Sequence, residues 1–196
     1  TFKVRDVNTG CVVEIKETID IPTDVTGIVA TATPTSCNGY ADGSISVTMG
    51  ASNNNPKYTY SLAGPVNRVA QDSPIFNDLP FGSYIVTVTS GRGCSATAAA
   101  NVGQPAIIVV GAPTVTQYTC STGTNAAVNA TITVTPGSVT GGSLNYIRYE
   151  FIRDGIQVQN DDRNTFVESD FKGGDYIINV YDNNGCQGSY STVTIA

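Results

Sequence analysis

From Cys11 to Cys37 is 26 residues, and from Cys94 to Cys120 is 26 again. Cys11, Cys94 and the remaining cysteine, Cys186, each follow a glycine, whereas Cys37 and Cys120 each follow a Thr-rich segment. Two alternating contexts at a fixed step mark an internal repeat, and a repeat restricts the chain to architectures that build one supersecondary unit more than once. Other residues keep the same phase. Pro22 in Ile21-Pro22 lies 11 residues past Cys11, and Pro105 in Gln104-Pro105 lies 11 past Cys94. The same count from Cys186 lands one residue beyond Ala196, which predicts an excerpt of a longer chain that stops on a repeat boundary. The phase predicts three units: the C-terminal hairpin of a preceding repeat (1–22), a complete repeat (23–105) and a second complete repeat (106–196).

The two complete units share an order of elements. Thr31-Ala32-Thr33 and Thr114-Val115-Thr116 each begin six residues before their cysteine. Alternating apolar strands follow, Ile45, Val47 and Met49 in one and Ile132 and Val134 in the other, then aromatic strands at Tyr58-Thr59-Tyr60 and Tyr149-Glu150-Phe151. Leu79-x-x-Gly82-x-Tyr84 matches Phe171-x-x-Gly174-x-Tyr176, each tyrosine ten residues before its Gly-Cys cysteine. After them Tyr84, Val86 and Val88, like Tyr176, Ile178 and Val180, repeat with a period of two, the pattern of a strand with one buried and one wet face. No apolar spacing of helical period is sustained. With about six or seven short strands in repeats of 83 and 91 residues, the pattern predicts an all-β fold of tandem immunoglobulin-like β-sandwich repeats. The Leu-x-x-Gly-x-Tyr segment predicts a tyrosine corner, with the ring inside and the hydroxyl returned to nearby backbone. Asn184-Gly185 and Asp154-Gly155 predict tight turns, since these residues tolerate positive φ. Residues 2–6 and 11–19 predict a lone hairpin, in which Phe2 and Val4 continue the apolar pattern.

Two cysteines per repeat predict one bridge per repeat, Cys37–Cys94 and Cys120–Cys186, with Cys11 paired to a residue upstream. Closing a loop of close to 60 residues contributes on the order of 4 kcal/mol in the chain-entropy model. Parity bears on this pairing. An odd number of full strands between two cysteines leaves them at opposite ends of a sandwich, and the sequence allows four or five, depending on whether the segments around Phe76 and Phe166 are strands. Free buried thiols are the alternative. Bridges would imply an oxidising, extracellular compartment.

Composition narrows the function classes. Sixteen acidic against ten basic residues give a net charge of −6, which disfavours nucleic acid, since phosphate contacts need Lys and Arg. With 40% hydrophobic and 13% charged residues the chain can fill cores and is not a disordered tract. No histidine is present, so the commonest general base and metal ligand is missing, and no enzyme is expected. Asp161-Asp162 reads as a solvated loop. The cofactor to weigh is calcium: Asp6-Val7-Asn8-Thr9-Gly10 and Asp182-Asn183-Asn184-Gly185 carry suitable oxygens. The matching turn of the middle repeat is Ser90-Gly91-Arg92-Gly93, where an arginine replaces them, and turn chemistry accounts for Asp, Asn and Gly equally well. Tyr40, Tyr118 and Tyr190 are placed to stack on sugars or to pack between repeats, the second being favoured.

Cys37-Asn38-Gly39, Asp42-Gly43-Ser44-Ile45-Ser46-Val47, Tyr58-Thr59-Tyr60-Ser61-Leu62, Gly82-Ser83-Tyr84-Ile85-Val86-Thr87-Val88-Thr89, Gly93-Cys94 and Gln104-Pro105 together resemble the SprB repeat of Bacteroidota surface proteins. The match covers nearly all of 28–105 and is looser in the second repeat, where Ser121-Thr122-Gly123-Thr124 replaces Cys-Asn-Gly. The resemblance implies a multi-repeat, cell-surface adhesin of the kind used in gliding motility and exported by the type IX secretion system. Its partners would be neighbouring repeats, the secretion and motility machinery, and an external surface or polysaccharide. Two readings follow: a stalk that makes length by stacking units, stiffened at Pro22 and Pro105, or a module whose own face binds polysaccharide.

Overall fold

The computed structural model describes residues 1–18, 24–50, 57–123 and 126–196. The repeat boundary expected at Pro22 lies outside them. The described chain forms two compact units, one of Thr1–Thr31, Ser46–Ile75 and Tyr84–Ala100, the other of Ala32–Ile45, Phe76–Ser83 and Asn101–Ala196.

Strands β1 (Phe2–Arg5) and β2 (Val12–Ile15) pair antiparallel as a two-stranded sheet, as the alternation at Phe2 and Val4 predicts. All eight residues are exposed. Seven strands follow: β3 (Val29–Thr33), β4 (Gly43–Thr48), β5 (Tyr58–Ala63), β6 (Arg68–Gln71), β7 (Ile75–Leu79), β8 (Gly82–Ser90) and β9 (Ser95–Val102). They form a three-stranded sheet, β3-β4-β7, and a four-stranded sheet, β6-β5-β8-β9.

The rest of the chain adds β10 (Val109–Val110), β11 (Thr114–Thr116), β12 (Thr119–Cys120), β13 (Ala127–Val128), β14 (Ala130–Thr133), β15 (Val139–Thr140), β16 (Tyr146–Arg153), β17 (Ile156–Asp161), β18 (Thr165–Glu168), β19 (Gly174–Asp182) and β20 (Gln187–Ile195). Their larger sheets are β11-β14-β18 and β17-β16-β19-β20, the same three-plus-four order, with two-residue ribbons β10-β15 and β12-β13 beside them. The chain is all-β, built as immunoglobulin-like β-sandwiches.

Period-two alternation sets which side chains are inside. In β8, Tyr84, Val86 and Val88 are buried; in β19, Tyr176, Ile178 and Val180 are fully so. Ile45, Val47, Ile132 and Val134 are buried as the pattern predicts. In the second unit Ile132, Phe151, Tyr176 and Ile178 pack with Ile108, Val110, Val139 and Ile195 in one core, against which Phe166 also lies. The Phe166 ring is 5.7 Å from Phe151 and 5.4 Å from Tyr176.

Two local expectations are refined. Asp154 and Gly155 both take positive φ, 48° and 83°, and close the β16–β17 hairpin. In the other turn Gly185 alone does so, at 82°, because Asp182 to Cys186 is a longer connection in which Asp182 carries the turn. At Tyr176, in the second repeat, the expected tyrosine corner is corrected. The Tyr176 ring is buried, but its hydroxyl donates to the Glu168 carboxylate. In the same unit the Tyr146 hydroxyl returns to nearby backbone, donating to Gly141 O at 2.9 Å.

Candidate functional site

The bridges expected within each repeat, Cys37–Cys94 and Cys120–Cys186, are replaced by one between the two sequence repeats. Cys37 is bonded to Cys186, with Cα atoms 5.4 Å apart, inside the range a disulfide spans without backbone movement. Cys11, Cys94 and Cys120 are free. The physical reason is strand parity. Phe76 and Phe166 do lie on strands, so β4, β5, β6, β7 and β8 separate Cys37 from Cys94, and five strands of four or more residues, β14, β16, β17, β18 and β19, separate Cys120 from Cys186. An odd number of crossings leaves each of those pairs at opposite ends of its sandwich. An even number, β4 to β9, brings the chain back from Cys37 to the end where Pro105 leaves.

The loop that carries Cys37 is fixed by its own polar groups. Thr35 is buried; its amide donates to Gly103 O at 3.0 Å and its hydroxyl to Cys37 O at 2.9 Å. The Ser36 amide donates to Asp42 Oδ1 at 2.9 Å, and the Ser36 hydroxyl donates to the other carboxylate oxygen. Asn38 Nδ2 donates to Pro105 O at 3.0 Å, and the Gly39 amide donates to Gln104 Oε1 at 2.9 Å. Gly39 takes φ of 77° there, a left-handed conformation that glycine enters without a Cβ penalty. The Cys-Asn-Gly and Gln-Pro motifs are therefore two halves of one contact.

Cys186 is presented by the turn after β19. The Asp182 amide donates to Cys186 O at 3.0 Å, and Asp182 Oδ1 accepts from the amides of Asn184 at 3.0 Å and Cys186 at 2.9 Å. Its Oδ2 accepts from the Ser143 amide at 2.8 Å. Burial works to raise the Asp182 pKa, but the amides of Ser143, Cys186 and Asn184 outweigh it and hold the carboxyl below its ordinary 3.8. These oxygens, weighed above as calcium ligands, accept from backbone N–H groups, as do those of Asp6, whose Oδ1 accepts from Asn8 and Thr9. No group of three or more Cys, Asp or Glu suited to an ion occurs among the described residues.

Between these loops the segment after Pro105 passes close to backbone. Gly142 N donates to Ala106 O at 2.9 Å, and β10 pairs with β15. A Cβ on Gly188 would stand 2.4 Å from Ile108 Cγ2, and one on Gly141 would stand 1.9 Å from Ile107 O, so both positions require glycine. A crevice of about 240 Å³ remains beside the bridge, lined by Cys37, Tyr40, Ile107, Ile108, Cys186 and Gln187. It is smaller than the usual small-molecule site of roughly 300–1,000 Å³.

Of the tyrosines singled out in the sequence, Tyr40 is exposed at this crevice, whereas Tyr118 and Tyr190 pack against the core of the second unit. Tyr118 lies 5.3 Å from the Phe171 ring, and its hydroxyl accepts from the Gly173 amide. Sequence reasoning missed a buried ionic group on the same unit. Glu168 is 1% exposed; it accepts from the Tyr176 hydroxyl and pairs with Arg153 at 2.7 Å, and Arg153 also grips Asp170 through two nitrogens at 2.9 and 3.1 Å. Burial, then the bond to Glu168, pushes the Tyr176 hydroxyl far above its ordinary value, and Arg153 holds the Asp170 carboxyl well below its own. The signal available in sequence was an acidic residue at the end of β18, one strand from an arginine.

No family model matches the chain, and no curated protein matches it. Among solved structures it is similar to fibronectin(III)-like modules of Clostridium thermocellum CbhA, at 15% identity over 91% of this chain and 92% of that one, with a TM-score of 0.32. It is also similar to the complex of Dpr11 IG1 with DIP-gamma IG+IG2, at 12% identity over 90% and 97%, with a TM-score of 0.31.

Proposed function

We propose that the chain is a non-catalytic repeat segment of a secreted bacterial cell-surface adhesin, acting as a spacer that contributes to adhesion or gliding. One observation carries this reading: the same three-plus-four strand order occurs twice, and a disulfide joins a cysteine of the first sequence repeat to one of the second. A covalent bond linking the first and second sequence repeats suits a part that must bear load, since tension along the chain then meets a bond. The resemblance to SprB repeats supports a cell-surface location, export by the type IX system, and the secretion and motility machinery as partners. The bridge is compatible with an oxidising, extracellular compartment, and no helix among the described residues is long and apolar enough to cross a membrane.

The test pairs adsorption with location. The purified chain is passed over glycan arrays and over glass and polysaccharide films, and intact producing cells are treated with protease. A spacer stays at the level of an inert control protein and is shaved from intact cells. Saturable adsorption would favour the rival reading, in which a face bearing exposed Tyr40 binds polysaccharide directly. Protection from protease on intact cells would overturn the surface location.

A further inference from the structure

We propose that Cys37–Cys186 is one rung of a ladder in which the strand cysteine of each repeat bonds the Gly-Cys cysteine of the next, so that Cys94 and Cys120 are open half-rungs for flanking repeats of the same type. The inference rests on the repeat reading and deepens it by naming the covalent partner.

Three observations carry it. First, the bonded pair unites one cysteine of each sequence context, from successive repeats. Second, the Gly-Cys turns are built alike, that of Cys11 being one residue longer than those of Cys94 and Cys186. The amides of Asp6, Ser90 and Asp182 donate to the carbonyls of Cys11, Cys94 and Cys186 at 2.9, 2.8 and 3.0 Å, and those of Gly10, Gly93 and Gly185 donate back to Asp6, Ser90 and Asp182. The glycines have φ of 73°, 87° and 82°. Cys94, whose amide donates to the Ser90 hydroxyl, is thus presented by the turn that presents bonded Cys186. Third, topology sorts the two kinds. Cys37 follows β3 and Cys120 follows β11, equivalent edge strands of the sheets β3-β4-β7 and β11-β14-β18. From Pro105 the chain runs through β11 to Cys120 at the far end, then through β14, β16, β17, β18 and β19 to Cys186 at the near end. Within a repeat, the Gly-Cys cysteine therefore lies at the end where the chain enters and the strand cysteine at the opposite end. Cys120 is exposed and Cys94 partly so, as open rungs must be.

Closing a rung removes two protons and two electrons from two thiols, and a low-molecular-weight disulfide takes them up. One cysteine thiolate attacks that disulfide and expels one small thiol. The second cysteine thiolate displaces the other, leaving the protein S–S bond and two reduced small thiols.

The test extends the chain after Ala196 with a second copy of residues 106–196, equilibrates it with oxidised and reduced glutathione, and maps disulfides without reduction. The ladder requires Cys37–Cys186 to persist and Cys120 to lose alkylation through a bond to the Gly-Cys cysteine of the added copy. A Ser in place of that added cysteine should restore alkylation at Cys120. Cys120 bonded to Cys186 or Cys94, or still freely alkylated in the extended chain, overturns the proposal. Should the longer chain fail to fold, Cys37→Ser in the 196-residue chain decides. The ladder leaves Cys186 free there, and a Cys120–Cys186 bond within the repeat overturns it. Thiol mapping does not depend on what the chain adsorbs to or where it is displayed, so failure of the spacer reading and failure of the ladder are separate results.

Discussion

Arg153 pairs with the buried Glu168 carboxylate, which also accepts from the Tyr176 hydroxyl. Removing one partner of a buried pair costs more than replacing both by neutral groups, because the orphaned charge keeps its desolvation penalty. Arg153→Ala should therefore lower the melting temperature more than Arg153→Ala combined with Glu168→Gln, as read by thermal denaturation at pH 7. Asp182 predicts a pH dependence. Its folded pKa is held below the unfolded 3.8, so its contribution is fully present above the unfolded value and is lost as pH falls through the folded one. Asp182→Asn should destabilise the chain at neutral pH and shrink the difference in urea midpoint between pH 7 and pH 3. Gly188 offers a steric test of the packing around Ile108. Gly188→Ala drives a Cβ into Ile108 and should cost about 1–3 kcal/mol in urea unfolding.

Turns and strands obey short-range rules, and these were legible. The Asp154-Gly155 hairpin follows from two residues that accept positive φ, and Gly155→Ala should cost about 1 kcal/mol by forcing an L-residue into the left-handed region. The inward faces of β8 and β19 follow from alternation of apolar side chains. Less legible was how a polar tip inside the core finds its partner. The spacing around Tyr176 marks a buried ring, but whether its hydroxyl meets backbone or Glu168 depends on β18, which is remote from any turn rule. Hairpin β1-β2 shows the limit of local pattern from the other side. Its alternation is clean, yet Phe2 and Val4 are exposed, since a two-stranded ribbon has nothing within itself to bury them. Its amides should exchange with solvent much faster than those of β8 and β19 by hydrogen-exchange mass spectrometry.

At the scale of the whole molecule the bridge couples residues 149 apart in sequence. Because Asn38 is hydrogen-bonded to Pro105, the loop released when residues 106–186 unfold is closed by the disulfide, and the chain-entropy model assigns such a loop about 4–5 kcal/mol. Cys186→Ser should lower the unfolding free energy of these strands by up to that amount, measured by urea titration against the oxidised chain. The sequence by itself determined the strand class, the turn glycines, the inward faces and the two cysteine contexts, all of which depend on neighbours a few residues away. It also supplied the parity argument without the strand count needed to apply it. Only the tertiary structure decided that count and with it the cysteine pairing. Each added strand reverses the chain, so one strand more or less moves a cysteine to the opposite end of its sandwich, and no local pattern records which end that is.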